Sequence, residues 1–389
     1  MTGDPRVRVL IDLSVAPPGG AGTYAAGFAS GLVGADLDHP EDIVVVVAAQ
    51  WARDRRDLVE AMAAAGIVVD AVDLPRPGTW RARLVRGRVL RAAADRHDVD
   101  LAFFPREVAP RTGRPHVVLA NNLYAWRSFD SAAAIGGRAS ALALRLLARR
   151  SARSAAAVLS VSESLAQVTE PIAPVEAVVH HGCSLPEHDR TGSFGPSDRP
   201  RSAIMVGNVI ANKGIELAIE GVARSRASGD RWTPDVHGGR GDRRYAKALD
   251  DLAEARLGAS VLRGPESDRD LAAVYQRADV VIMGGAFESF CFPLVEGMRS
   301  GCVVVAPDCA LVHELCGDVA VTYREGDPAS MAAALSVAWD EREQRSRASV
   351  ERSRTFTWVR AVDQTLAQLR GAMQVPAASS SPAPKVLVD

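Results

Sequence analysis

Two glutamates in the stretch "GGAFESFCFPLVEGM", Glu288 and Glu296, stand eight positions apart with Pro293 between them. Proline suits the first turn of a helix, because the amide it lacks would have no partner there and its fixed φ already matches the helix. The spacing therefore predicts a helix beginning near Pro293, with Glu288 on the approaching loop and Glu296 on the first turns. Both carboxylates can then face one pocket at the helix's positive end, which attracts anions through its dipole and free amides. A phosphate-binding helix end with two hydroxyl-binding carboxylates fits a sugar nucleotide. Taken singly, each glutamate fits a capping or surface position. The pair also admits a glycosidase, in which two carboxylates flank the scissile bond.

A second element is "GGAGTY", Gly19 to Tyr24, between a strand-like run and a helical one. Glycines there can adopt φ > 0 and let a ligand approach the backbone, which makes Gly20 and Gly22 candidate contacts; a plain tight turn is the alternative. The stretch has no Gly-Lys-Ser/Thr and does not complete Gly-x-Gly-x-x-Gly, because Thr23 and Tyr24 follow Gly22. Nucleotide hydrolysis and dinucleotide binding are disfavoured accordingly. The third element is Lys213 in "GNVIANKG", one of three lysines with Lys247 and Lys385 in a chain otherwise supplied with arginine. A lysine kept in a loop before a helix suggests a compact charge aimed at a phosphate, with an exposed helix-start lysine as the plainer reading. A glycosidase would need neither this lysine nor a phosphate-oriented helix start.

Residues Glu288 to Glu296 resemble the Glu-x7-Glu signature of retaining glycosyltransferases of the GT-B fold, particularly glycosyltransferase family 4. "IDLSVAPPGGAGTYAAGFASGL" is similar to that family's N-terminal glycine loop, "VLSVSESL" and "VVHHGCS" to the end of its first domain, and "MVGNVIANKGIELAIEGV" to the opening of its second. "RADVVIMGGAFESF" and "FTWVRAVDQTL" continue the series in the family's order. The resemblance implies an α/β GT-B architecture, two Rossmann-like parallel-sheet domains facing a central cleft. It places an acceptor-side domain over 1–185, a nucleotide-sugar-binding domain over 202–356 and a helix over 357–374 returning to the first domain; between and after them, composition rich in Pro, Gly and Ser without periodicity reads as a linker over 186–201 and a disordered tail over 375–389. It further implies a retaining, metal-independent hexosyltransferase without a cofactor. The donor would be a nucleoside-diphosphate sugar and the acceptor a carbohydrate, a lipid-linked glycan or a small molecule.

Residue by residue, the resemblance puts Glu288 beside the transferred sugar and Glu296 on the ribose hydroxyls. Lys213, with Gly207 and Asn208, would meet the diphosphate, and backbone amides of Ser289, Phe290, Cys291 and Phe292 the distal phosphate and sugar. Two positions depart from the family. Asn208 stands where an arginine is usual, and Arg240 or Arg243 in "HGGRGDRR" is a candidate replacement if not simply a surface arginine. Asn121 and Asn122 stand where the family often has His-Asp. Asparagine is neither acid nor base near pH 7, but in retaining transfer the leaving phosphate can take the acceptor proton. Asn121 would then orient sugar or acceptor, with an ordinary loop asparagine as the alternative. These departures keep open a non-catalytic homologue that binds a sugar nucleotide or activates a partner, and an epimerase. At the cleft, His180 and His181 read as a hinge, a ribose-side contact or turn histidines, and Glu314 beside His313 as a cleft-loop glutamate. His116, at a strand start, reads as structural.

The elements that must position these groups follow from periodicity. The chain has 389 residues, 47% apolar and 24% charged, enough for two domains each with its own core. "VRVLIDL", "DIVVVVAA", "GIVVDAVDL", "VDLAFF", "HVVLAN" and "AVLSVS" read as strands of a first parallel sheet, with helices over Ala25 to Leu32 and Ser140 to Ala152. "SAIMVGN", "TPDVHGG", "SVLRGP", "DVVIMGG" and "CVVVAPD" read as a second set, with Ser267 and Asp270 capping the helix of "LAAVYQRA". A net charge of −1 gives no case for nucleic acid. No apolar run approaches a membrane span and the N-terminus lacks a signal-peptide core, so a cytoplasmic protein is expected. Five cysteines without metal-ligand spacing read as reduced thiols. The segment Arg76 to Arg91, with six arginines around Trp80, Leu84, Val85, Val89 and Leu90, reads either as a basic amphipathic helix touching the inner face of a membrane or as a solvated face.

Overall fold

The computed structural model describes residues 6–15, 19–75, 80–127, 138–188, 190, 200–266 and 268–374. Apolar runs such as Ile43–Val47, buried without alternation, form strands covered on both faces, the signature of a parallel sheet. Seven strands build the first sheet: β1 (Val9–Asp12), β2 (Ile43–Ala48), β3 (Val68–Val72), β4 (Leu101–Phe104), β5 (His116–Ala120), β6 (Ala157–Ser160) and β7 (Ala177–Val178). Six build the second: β8 (Arg201–Val206), β9 (Trp232–His237), β10 (Leu262–Arg263), β11 (Val280–Ile282), β12 (Val303–Pro307) and β13 (Val321–Tyr323). The orders are β3-β2-β1-β4-β5-β6-β7 and β10-β9-β8-β11-β12-β13, parallel throughout. Each order reverses once, between β1 and β4 and between β8 and β11. Crevices at the carboxyl ends of such strands are where open α/β sheets bind ligands.

In the first domain the helices are α1 (Gly20–Gly34), α2 (Ala49–Asp54), α3 (Arg56–Ala64), α4 (Trp80–Arg96), α5 (Arg138–Arg153) and α6 (Glu163–Thr169). The second holds α7 (Ile215–Ala227), α8 (Arg243–Leu257), α9 (Asp268–Arg277), α10 (Phe292–Arg299), α11 (Ala310–Cys316), α12 (Pro328–Asp340) and α13 (Arg342–Ser353), and α14 (Trp358–Gln374) closes the described chain. Right-handed crossovers put α1 and α3 on one face of the first sheet and α4, α5 and α6 on the other, because the connections turn back after β3. The helix expected from Ala25 already starts at Gly20, one residue after Gly19 at φ 99°. The glycine stretch is thus the first turn of α1 rather than a free loop. Strands β7 and β13, two and three residues long, went unread in the sequence.

Helix α14 lies against α1, and glycines make that approach. A Cβ on Gly27 would come within 2.0 Å of the Trp358 ring, and one on Gly31 within 2.6 Å of the Trp358 carbonyl. The larger apolar core crosses the domain boundary, joining Leu10, Phe28 and Phe103 to Phe290, Leu294 and Trp358, while a second core around Trp232 and Trp339 fills the far side of the second sheet. The segment expected as a linker docks on the second domain where it is described. His188 donates its amide to Arg299, and the buried Arg190 guanidinium bonds the Ala278 carbonyl and pairs with Asp279 at 3.2 Å. Its last residue, Arg201, already belongs to β8. Ser267 and the tail 375–389 lie outside the described residues.

Candidate active site in the interdomain cleft

The loops that follow β8 and β11, on either side of the reversal in the second sheet, touch backbone to backbone. A Cβ on Gly214, itself at φ 62°, would stand 2.4 Å from the Gly284 carbonyl, and one on Gly284 would stand 2.3 Å from that of Gly214. Gly285 is similarly close to the Asn212 carbonyl, at 2.5 Å. No other residue type fits, so the glycines fix the two loops as walls of one narrow cavity. Its rim carries Gly207, Lys213, Glu288, Cys291 and Pro293, over an apolar floor that includes Met205, Ile215 and Ile282.

The ammonium of Lys213 donates directly to Glu288 across this cavity. Burial works against the lysine's charge, but the Glu288 carboxylate outweighs it and holds the ammonium pKa above its ordinary value. Cys291 turns the chain into α10 through the left-handed region at φ 62°, where a non-glycine residue is strained. The helix then starts at Phe292 with Pro293 in its first turn, and the Leu294 amide returns to the Cys291 carbonyl. Burial drives the Cys291 thiol pKa well above its ordinary range.

Glu296 takes another direction. It is 7% exposed and accepts the Tyr275 hydroxyl at 2.8 Å. Leu294 through Met298 of α10 are all buried, and the Tyr275 hydroxyl of α9 holds the Glu296 carboxylate while Glu288 stands on the cavity rim. Phe290 and Phe292 place their rings in an aromatic knot with His181. The buried His181 ring stacks on Phe292 at 5.1 Å and on Trp358 at 5.8 Å, and meets Tyr24 edge-on at 4.9 Å. Burial lowers the His181 pKa to about 3, so it is neutral in this stack. A Cβ on Gly20 would lie 3.7 Å from Phe292, bringing the first turn of α1 to the same place.

The first domain crosses the cleft just beyond Asn121. Asn121 itself is tied inward, donating its amide to Glu107 at 3.0 Å and its side chain to the Pro105 carbonyl at 2.7 Å. Asn122 accepts the Tyr124 amide, the Leu123 amide donates to Ser289 Oγ at 2.9 Å, and the Tyr124 ring packs 4.9 Å from that of Phe287. The Ser289 carbonyl also accepts Ser162 Oγ at 2.7 Å. Ser289, expected at the donor, therefore bridges the domains through its side chain and carbonyl. Glu314 forms a second bridge, accepting the Glu163 and Ser164 amides at 2.7 and 3.0 Å and facing His180 Nε2 at 2.6 Å. Burial would raise its pKa, but His180 and the two amides prevail and lower it. His313 instead meets Asp308 at the surface, and His116 meets the Ser151 carbonyl at 3.2 Å.

Sequence reading missed a second charged group at the reversal of the first sheet. Asp12, at the end of β1, accepts Ser14 and pairs with Arg86 of α4, while Arg106 and Glu107 follow β4. Burial lowers the Arg106 pKa and raises that of Glu107. An aspartate ending the apolar run "VLID" and the charged pair that follows "LAFFP" were the available signal. Neither candidate replacement for the missing arginine reaches the cavity rim: Arg240 pairs with Asp250 at 3.0 Å, and Arg243 is exposed at the start of α8. Asn208 is exposed beside Gly239. Among the described residues, the one trio with metal-ligand geometry is His39, Glu41 and Asp42, at the amino end of β2 away from the cleft, with both carboxylates on Arg6.

Residues 200–341 match the family model described as Glycosyl transferases group 1, which supports the resemblance read from the sequence over the second domain. No curated protein matches the chain. Among solved structures, sucrose-phosphate synthase from Thermosynechococcus elongatus superposes with a TM-score of 0.69 at 13% identity, covering 95% of this chain and 99% of that one. HepE from Anabaena, solved with UDP and glucose, gives 0.66 at 18% identity over 94% and 99%. A glycosyltransferase from Rickettsia africae gives 0.62 at 13% over 95% and 99%. The two parallel-sheet Rossmann-like domains are those of the GT-B fold.

Proposed function

We propose that the chain is a retaining glycosyltransferase that takes its sugar from a nucleoside-diphosphate donor held in the cavity between β8 and β11. The observation that carries this reading is the Lys213–Glu288 pair on a glycine-walled cavity at the sheet reversal. A diphosphate entering there would take the Lys213 ammonium and release Glu288 to the sugar. In transfer, the bond from the anomeric carbon to the diphosphate oxygen breaks and one to the acceptor oxygen forms on the same face. The departing diphosphate oxygen takes the acceptor's proton, so the chemistry asks for no imidazole at Asn121. Lysine, backbone amides and the start of α10 balance the diphosphate charge without a metal. The binding of UDP and UDP-glucose described for HepE supports a sugar nucleotide as the ligand class. The acceptor, a carbohydrate, a lipid-linked glycan or a small molecule, would enter from the first domain, and closure of the cleft would exclude water.

A second reading, a homologue that binds the donor without transferring it, is favoured by Lys213 being the one cation on the rim among the described residues, with Asn208 exposed and Arg240 held by Asp250. Product mass spectrometry with UDP, GDP, ADP and dTDP sugars separates them. Slow release of the nucleoside diphosphate from one donor is expected. Binding without release, with glycan and lipid acceptors present, would favour the second reading. A product of unchanged mass but altered sugar would mean an epimerase.

A further inference from the structure

No helix among the described residues is long and apolar enough to cross a membrane, yet two helices of the first domain present leucines to solvent. On α5, Leu142 and Leu146 are 57% and 58% exposed, and the same stripe continues through the exposed Arg150 to Arg153. On α4, Leu84 is 53% exposed, followed along its stripe by the exposed Arg88 and Arg91. Spacings of three and four residues put each set on one helix face. Between Arg138 and Arg153 there is no acidic residue at all.

The two helices belong to one surface. Both lie on the same side of the sheet by the handedness of their crossovers, and the segment between β4 and β5 joins them. Arg114 of that segment pairs with Asp95 of α4 at 3.3 Å, and its Ala109 amide donates to Ser151 of α5 at 3.0 Å. Each helix also starts at the carboxyl end of the preceding strand, so both place leucine at the cleft end and arginine farther along. The basic surface expected over Arg76–Arg91 is changed in detail, since Arg86 turns inward to Asp12. Arg76 and the side chains of Trp80, Arg81 and Arg83 lie outside the described residues.

We infer that this α4–α5 face docks on the surface of an anionic lipid bilayer, with Leu84, Leu142 and Leu146 entering the interface and Arg88, Arg150 and Arg153 meeting lipid phosphates. On α5 the leucines are flanked by arginine with no acidic residue in the helix, and on α4 Leu84 is followed by Arg88, with Asp95 taken up by Arg91 and Arg114; such a face is complementary to that surface, and both contributions add to binding. Docking would bring the mouth of the cleft to the membrane. Arg145 of α5 links the two directly, through the carbonyls of Tyr124 and Arg127 at 3.4 and 3.3 Å. The inference stands apart from the proposed transfer reaction, because it concerns adsorption and not chemistry.

Vesicle flotation with the full chain tests it, comparing phosphatidylcholine vesicles with vesicles that also contain phosphatidylglycerol. Binding to the anionic vesicles, weak binding to the neutral ones and a loss of at least about tenfold in Leu142→Glu/Leu146→Glu and in Arg150→Glu/Arg153→Glu are expected. Circular dichroism melting of the same variants should be unchanged, since all four positions are at the surface. No binding of the wild type, or equal binding by the folded variants, would overturn the inference. So would sedimentation showing that the leucines instead hold two copies of the chain together, with the glutamate variant monomeric.

Discussion

Lys213 and Glu288 meet as an ion pair although 75 positions separate them in the chain. One comes from the loop after β8 and the other from the loop after β11, so only the reversal of strand order in the second sheet makes them neighbours. The pair keeps the ammonium charged throughout the ordinary pH range, and it sets a negative and a positive group side by side on the cavity rim. Under the proposed function, an incoming diphosphate would compete with Glu288 for the same cation.

The Gly214–Gly284 contact is the fastening of that arrangement, and it leaves no room for a methyl group. Gly284→Ala is expected to force the two loops apart, lowering donor affinity while costing about 1–3 kcal/mol of stability as an overpacked backbone contact. Titration calorimetry and chemical denaturation measure the two effects. Gly258→Ala, a substitution at a helix end with open space around it, serves as the control for stability alone.

His181 makes stability depend on pH. Its folded pKa, about 3, lies below the value near 6.5 of an unfolded histidine, so the unfolded chain binds the additional proton. The contribution is complete above about pH 6.5 and is lost as the pH falls toward 3. Between pH 7 and 5 it should remove about 2 kcal/mol. His181→Phe keeps a ring between Phe292 and Trp358 and should flatten the wild-type loss in denaturation curves over this range. Parallel wild-type and variant curves would count against the buried neutral ring.

Glu314 holds the closed cleft by satisfying two amides and a histidine of the opposite domain. Glu314→Ala should open the domains, raising the radius of gyration in small-angle scattering and the KM for the acceptor more than that for the donor. An unchanged radius together with unchanged KM values would show that Ser289 and the aromatic knot close the cleft alone.

Much of this was legible in the sequence, for identifiable reasons. Unbroken apolar runs such as "IVVVV" announce buried parallel strands, and Pro293 marks the start of α10 within a residue. Lys213 and Glu288 stood out because a lysine is rare in this chain and because loops after strands carry chemistry. The Tyr275 partner of Glu296 could not be read from the spacing. The left-handed turn at Cys291 sets the rotation of α10, and no pattern of eight residues encodes that angle. The roles of Ser289 and Glu314 were equally hidden, because they depend on how two domains meet. Asp12 and Glu107 went unread for a similar reason: one ends a strand and the other stands in the loop after its neighbour, and only the pairing of those two strands brings them together.

The most direct test is calorimetric titration of the donor's nucleoside diphosphate into wild type, Lys213→Ala and Glu288→Gln. Losing one charge-assisted hydrogen bond, roughly 1.5–3 kcal/mol, should weaken binding to Lys213→Ala by about tenfold to a hundredfold. Glu288→Gln, which frees the ammonium of its competitor, should bind at least as tightly as wild type while transferring sugar poorly. Equal affinity in wild type and Lys213→Ala would contradict the assignment of this cavity as the donor site.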